Sequence, residues 1–229
     1  AHDAQGVGFA HAVDDALPEG PHTSNITHAA ASTDPDYNGT SIPDIVVNIT
    51  DNDIPGVTIT QTGGGSAVSE AGPSSDTYTL VLDSQPTATV NVTVTPDNQS
   101  TVGAGPGTAI MLVFSTANWS TPQTVTVTAV DDAVAEGLHS TTIAHTVASA
   151  DADYNGMTVS SLVAIVADND AVGLSITQSG GSTDVQEEGA TSDSYTIALT
   201  SEPTADVSVT ITPDQQSSVG GGAGVARSI

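Results

Sequence analysis

Carboxylate side chains recur in short clusters along this sequence, and such clusters are suited to binding hard metal ions. The central part of the chain carries Glu70, then Asp131, Asp132 and Glu136, and finally Asp168 and Asp170. Calcium takes six to eight oxygen ligands, which carboxylates from several loops can supply together. Six further acids occupy corresponding positions elsewhere in the chain: Asp14, Asp15, Glu19, Asp51, Asp53 and Glu187.

The correspondence reflects a repeat of 117 residues. Tyr37-Asn38-Gly39 returns as Tyr154-Asn155-Gly156, and Thr95-Pro96-Asp97 returns as Thr212-Pro213-Asp214, both at this spacing. Many short matches at one constant offset indicate duplication of a whole folding unit. We therefore expect a complete repeat at 54–170, with parts of a repeat at 1–53 and 171–229.

Charge and cysteine content narrow the possible partners. The chain has 27 acidic residues, one arginine and no lysine, and its formal net charge is −26. Nucleic acid and anionic membrane surfaces repel such a chain, so we expect neither as a partner. No apolar run is long enough for membrane insertion. Cysteine is absent, which excludes disulfides and zinc–thiolate sites.

Signs of enzymatic chemistry are weak. The sequence has neither a Gly-x-Ser-x-Gly nucleophile elbow nor a His-Glu-x-x-His zinc motif. One Trp, two Phe and four Tyr leave little aromatic surface for a substrate cleft. We therefore expect a protein that is not an enzyme.

The elements that would position the acids are β-strands. Alternating apolar and polar residues, rich in Val, Ile and Thr, predict strands with one buried face. Glycine-rich stretches separate them and predict turns. About seven strands per repeat indicate an all-β fold of antiparallel, immunoglobulin-like sandwiches. The predicted central strands are 57–60, 77–82, 90–95, 109–114, 124–128, 140–148 and 159–167.

The order of these motifs resembles the Calx-β repeat. Val-x-Glu follows the first strand, a Val-Asp-Asp-x-x-x-Glu corner follows the fifth, and the last strand closes in Asp-x-Asp. That family includes calcium-binding domains of sodium/calcium exchangers, an integrin module and tandem arrays in bacterial surface proteins. The resemblance implies that the acidic loops meet at one end of the sandwich and bind Ca²⁺. It also implies an extracellular or cell-surface location.

Two observations leave the site open. A carboxylate that exchanger domains contribute from a middle loop has no counterpart in 102–105, which implies fewer or weaker ions. The alternative is that the acids only solvate loops and cap turns, where Asp and Asn are favoured. Against it, six convergent carboxylates would repel one another strongly without a cation.

The histidines are interpreted as packing or surface residues. His22 and His28 recur as His139 and His145, six residues apart, so both members of a pair face the same side of a strand. Their separation along a strand is too large for them to share one metal ion.

The way in which the repeat divides the chain leads to the expected function. Residues 1–53 carry the last three predicted strands, near 7–12, 24–30 and 45–50, and residues 171–229 carry the first four. We expect residues 1–53 of one copy to complete residues 171–229 of the next, which gives a head-to-tail homopolymer. Calcium sites would then be shared between copies, with Glu187 or Glu188 of one copy beside the acids of 14–53 of the other. The alternative is a segment of a tandem calcium-binding adhesin stalk, with other surface or matrix components as partners.

Overall fold

The computed structural model describes residues 8–72 and 74–229. Apart from two short 3-10 turns, the regular secondary structure within them is all β, which confirms the predicted all-β class. The strands are β1 His22–Ile26, β2 Ile45–Ile49, β3 Val57–Gln61, β4 Ser66–Ser69, β5 Ser75–Leu82, β6 Val90–Pro96, β7 Ser100–Thr101, β8 Ile110–Phe114, β9 Gln123–Ala129, β10 His139–Ser149, β11 Leu162–Ala167, β12 Leu174–Gln178, β13 Tyr195–Leu199, β14 Thr210–Ile211 and β15 Arg227–Ser228. Single 3-10 turns span Thr62–Gly64 and Ser179–Gly181. None of the described helical turns has the length or apolarity to span a membrane.

Strands β3 to β11 form two sheets that enclose the main core. One sheet has the order β3-β5-β9-β7, and the other has the order β4-β11-β10-β6-β8. Both contribute inward side chains to one buried cluster, which includes Tyr78 and Val125 from the first sheet and Val92 and Ile143 from the second. This two-layer body, residues 57–167, is called the central unit below.

Alternation along the strands explains this packing. In β10, the residues from Thr141 to Val147 alternate between buried and exposed, and β11 follows the same pattern. A strand turns successive side chains to opposite faces, so this period of two directs one set into the core. The seven central strands expected from the pattern are all present, with ends that differ by up to three residues.

Two short strands escaped the sequence pattern, and one of them changes the topology. Strand β7 has two residues and β4 has four, too few for alternation to be recognised. Strand β4 pairs with β11 in parallel, with Val68 opposite Val166. The expected purely antiparallel arrangement is therefore wrong at this sheet edge, while the other strand pairs are antiparallel.

The segments on either side form separate, smaller pairs. Strand β1 pairs with β2, β12 with β13, and β14 with β15, each as a two-stranded sheet. Residues 8–12 lie in no strand, so the strand expected near 7–12 does not form there; residues 1–7 are outside the described part. Gly8 and Ala10 stand where the central unit has the buried Val125 and Val127, so this segment offers little apolar surface to a sheet.

Candidate metal centre

The parallel pairing of β4 with β11 places Glu70 at the acidic end of the central unit. Its backbone N–H donates to the carbonyl of Ala167 at 3.0 Å, so the chain continues the ladder one residue past β4. The Glu70 residue is only 1% exposed. A buried carboxylate thus lies beside the loop 168–170, which follows directly after β11.

Two groups of ligand-type side chains surround Glu70. Carboxylate oxygens of Glu70, Asp131 and Asp170 lie within 4.8 Å of one another. Glu70 also forms a group of the same size with Glu136 and the imidazole of His139. Three of the acids predicted from the loops 131–136 and 168–170, namely Asp131, Glu136 and Asp170, therefore lie close to Glu70.

The buried polar atoms of this centre lack hydrogen-bond partners. Among the described residues, both carboxylate oxygens of Glu70, Oδ2 of Asp170 and Nε2 of His139 are buried without one. Burial, followed by the negative charge of Asp168, raises the pKa of Glu70. Burial and the charges of neighbouring aspartates also raise the pKa of Asp170. Desolvated, mutually repelling carboxylates are unfavourable unless a cation lies between them.

Asp168 and Asp132 hold the loops in shape. Asp168 accepts backbone hydrogen bonds from Gly137 and from Asp170, and these lower its pKa. Gly137 has a φ of 68°, a left-handed conformation that glycine adopts without strain. Asp132 accepts from the backbone N–H of Val134 at 2.7 Å. These bonds fix the corner that carries Asp131 and Glu136, whether or not a cation is bound.

His139 belongs to the centre, although the sequence argument treated it as a packing or surface residue. Its Nε2 lies 3.4 Å from Glu136 Oε2 and 4.0 Å from Glu70 Oε1. The signal available in the sequence was the Glu136-x-x-His139 spacing. The other member of the pair, His145, lies in the core as expected: its Nδ1 is 2.9 Å from the carbonyl of Ser160, and Nε2 is 2.9 Å from the hydroxyl of Tyr78.

The first segment repeats part of this arrangement. Asp51 accepts from the backbone N–H groups of Gly20 and Asp53, and Nε2 of His22 lies 3.5 Å from Glu19. Burial and the charges of Asp51, Asp14 and Asp15 raise the pKa of Asp53. The predicted ligands Asp14, Asp15, Glu19, Asp51 and Asp53 thus belong to one acidic end.

Glu187, the counterpart of Glu70, lies elsewhere. It is exposed, in a turn near residues 184–191, where its carbonyl accepts from the backbone N–H of Ala190. The strands of its segment pair only with each other among the described residues, so Glu187 is not joined to the acidic end of 14–53.

No protein-family model matches the sequence, and the search of curated proteins gives no match either.

Proposed function

We propose that this chain is an extracellular structural subunit that is not an enzyme and that polymerises head to tail. In this proposal residues 8–53 of one copy pack on residues 171–229 of the next, rebuilding a two-sheet unit of the Calx-β-like, immunoglobulin type. Calcium at the acidic ends stiffens both the central and the shared units. The support comes from the two exposed segments, compared position by position with the central unit.

The apolar faces of the two segments supply the first support. Tyr37, Ile45 and Ile176 are 66%, 54% and 66% exposed. In the central unit the counterparts of the first two, Tyr154 and Leu162, are 0% and 3% exposed. Covering such surface is favourable, because burying apolar area is the main favourable contribution to association.

Matched polar groups carry the proposal. Three hydrogen bonds in the central unit join its first half to its second half. Tyr78 with His145 and Ser84 with Tyr154 are buried, and the backbone of Thr87 with Asp151 is partly buried. Each donor and acceptor has the same residue type 117 positions away, on opposite segments of the chain: Tyr195 with His28, Ser201 with Tyr37, and Thr204 with Asp34. Two segments that carry both halves of all three contacts are complementary to each other.

The free group on His28 fits this scheme. Its Nδ1 lies 3.2 Å from the carbonyl of Pro43, and Nδ1 of His145 has the corresponding contact with the carbonyl of Ser160 at 2.9 Å. The side chain is therefore already held in the orientation that it has in the central unit. In the shared unit its Nε2 would accept a hydrogen bond from the hydroxyl of Tyr195 in the neighbouring copy.

Contacts between consecutive parts of the chain favour a rigid rod. The backbone N–H of Gln85 donates to the carbonyl of Ala16 at 2.7 Å, and that of Glu202 donates to Ala133 at 2.6 Å. Both contacts join a corner to the loop that follows the first long strand of the next part, at the same 117-residue spacing. This repetition also favours the second candidate, a tandem adhesin stalk in which one long chain supplies every unit.

Engineered disulfides test the pairing, because the natural chain has no cysteine. In the central unit Thr146, exposed on β10, lies opposite Thr93, half-buried on β6. The corresponding residues are Ala29 and Thr210, so a variant with Ala29→Cys and Thr210→Cys should form a ladder of covalent multimers on oxidation. Directly opposite positions have Cβ atoms about 4.5–5.5 Å apart, close to the distance that a disulfide spans.

Two control variants make the result specific. Thr93→Cys with Thr146→Cys should cross-link within one chain, whereas Ala29→Cys with Thr212→Cys shifts the register by two residues and should cross-link poorly. Electron microscopy of the natural chain should show filaments with a continuous axial repeat. Discrete monomeric rods, together with no multimers from the matched pair, would refute the polymer.

A further inference from the structure

We propose that the acidic end of the central unit contains a second metal position, made by His139, Glu136 and Glu70, that prefers a zinc-class transition ion to calcium. It shares Glu70 with the calcium position of the proposed function but does not depend on polymerisation. The two positions differ in donor chemistry: Glu70, Asp131 and Asp170 offer oxygen only, whereas the second group includes an imidazole nitrogen.

The imidazole is oriented as a metal ligand. Nδ1 of His139 lies 2.9 Å from the carbonyl of Gly137, so Nδ1 carries a proton, and in the neutral ring Nε2 keeps its lone pair. A backbone carbonyl in this role fixes both the tautomer and the ring orientation of a metal-binding histidine. Nε2 is buried and has no hydrogen-bond partner.

The carboxylates lie on the open side of this nitrogen. Glu136 Oε2 is 3.4 Å and Glu70 Oε1 is 4.0 Å from Nε2, so a small inward shift of the Glu70 carboxylate would let one ion reach all three atoms at the usual zinc distances of about 2.0–2.2 Å. The burial of Glu70 separately indicates a bound ion, since this residue is 1% exposed and both of its carboxylate oxygens lack hydrogen-bond partners. Imidazole nitrogen and carboxylate oxygen are both zinc ligands, and three protein ligands leave a fourth position for water.

Protonation of His139 is the competing explanation for the same geometry. An imidazolium would pair with Glu136 and Glu70 and would need no ion. The two explanations differ in their response to zinc, because an imidazolium cannot bind a metal while a neutral imidazole can.

The test is thermal unfolding of the full chain at neutral pH, titrated with Zn²⁺ or Ca²⁺, in wild type, His139→Gln and Asp131→Asn. We expect Zn²⁺ to raise the melting temperature at concentrations where Mg²⁺ has no effect. His139→Gln should weaken the zinc response at least tenfold and the calcium response by less than threefold, and Asp131→Asn should do the reverse. Zinc X-ray absorption should show imidazole scattering that disappears in His139→Gln.

Three results would overturn the proposal: no zinc response beyond that of Mg²⁺, a zinc response that His139→Gln leaves unchanged, or an equal loss of both responses in that variant. The last would mean that His139 only positions Glu136. Any of them leaves the calcium and polymer proposals standing, because those are tested by the calcium titration and by the cross-linked multimers. His11→Gln, an exposed histidine outside the centre, serves as the control for surface binding of zinc.

Discussion

The hairpin β1–β2 and its counterpart β10–β11 have the same pairing but different surroundings. His22 lies opposite Ile49 and Ile26 opposite Ile45, as His139 lies opposite Val166 and Ile143 opposite Leu162. Yet Ile143 is fully buried whereas Ile26 is 36% exposed. The strand register is therefore a local property of the sequence, whereas burial requires the second sheet.

The same contrast applies to charge. Glu70 is enclosed beside other acids, whereas Glu187 is exposed to solvent. An exposed carboxylate is stabilised by water, but a buried one needs a cation or a proton. Rebuilding a unit from two copies would thus bury Glu187, and cation binding would become coupled to assembly.

The largest effect is expected from removing the ring of Tyr154, whose counterpart in the first segment is Tyr37. Tyr154→Ala deletes a fully buried ring whose hydroxyl donates to the carbonyl of Ser84, so it should lower the free energy of unfolding by about 3–5 kcal/mol. Tyr37→Ala should leave the unfolding of the central unit unchanged within about 0.5 kcal/mol, because its ring is 66% exposed.

Denaturant unfolding and sedimentation together separate the two tyrosines. Tyr37→Ala should abolish multimers while the monomer remains folded. Filaments of normal length from this variant would show that the exposed face of β1–β2 is not a contact between copies.

A smaller effect of opposite sign is expected at Glu70. Without metal, Glu70→Gln should stabilise the chain at neutral pH by about 1–3 kcal/mol, because it removes a buried charge without a partner. With Ca²⁺ the order should reverse, since the natural carboxylate gains a ligand bond that glutamine cannot match. Glu187→Gln is the matched control and should not change the monomer in either condition.

Calorimetry with and without a chelator measures this reversal. If Ca²⁺ raises the stability of wild type and of Glu70→Gln equally, the acids only solvate the end of the sheets, and the proposed calcium site does not exist.

Much of this arrangement could be predicted from the sequence, and the missing parts have identifiable causes. The long strands were predictable because β5, β6 and β10 alternate over seven or more residues. The edge strand β4 was not, since it has four residues and its pairing with β11 depends on contacts almost 100 positions apart. The burial of Glu70 follows from that pairing, so no local pattern in the sequence indicates it.

The role of His139 was missed for a different reason. Its spacing from His145 excludes a metal ion shared by the two histidines. The end of a strand, however, also approaches loops from other parts of the chain. Its neighbour Glu136 comes from the preceding corner and its neighbour Glu70 from the residue after β4, and only Glu70 is distant in sequence. The strand near 7–12 failed because its apolar residues stand at the outward positions of the repeat.

A pH dependence should distinguish the core from the acidic end. Burial lowers the pKa of His145 below 6.5, with partial opposition from the Ser160 carbonyl. The unfolded state therefore binds the proton more readily, so this stability is complete above about pH 6.5 and is lost as the pH falls through the lowered value. The raised pKa of Glu70 acts in the opposite direction, since its protonation relieves a buried charge.

Unfolding of Glu70→Gln between about pH 7.5 and pH 5.5 isolates the histidine. We expect stability to fall in this range and the fall to disappear when His145→Gln is added. A fall that persists in the double variant would show that His145 is not its source.

The smallest effect is expected from single hydroxyl groups. Tyr78→Phe removes the hydrogen bond to Nε2 of His145 but keeps the buried ring, and it should cost about 1 kcal/mol of unfolding free energy. Tyr195→Phe should leave the monomer unchanged and weaken association by a similar amount, which is about a fivefold change in the dissociation constant. A double-mutant cycle with His28→Gln should then show non-additivity, because both variants remove the same bond. Additive losses would mean that Tyr195 and His28 act separately and that the shared unit does not reproduce the core of the central one.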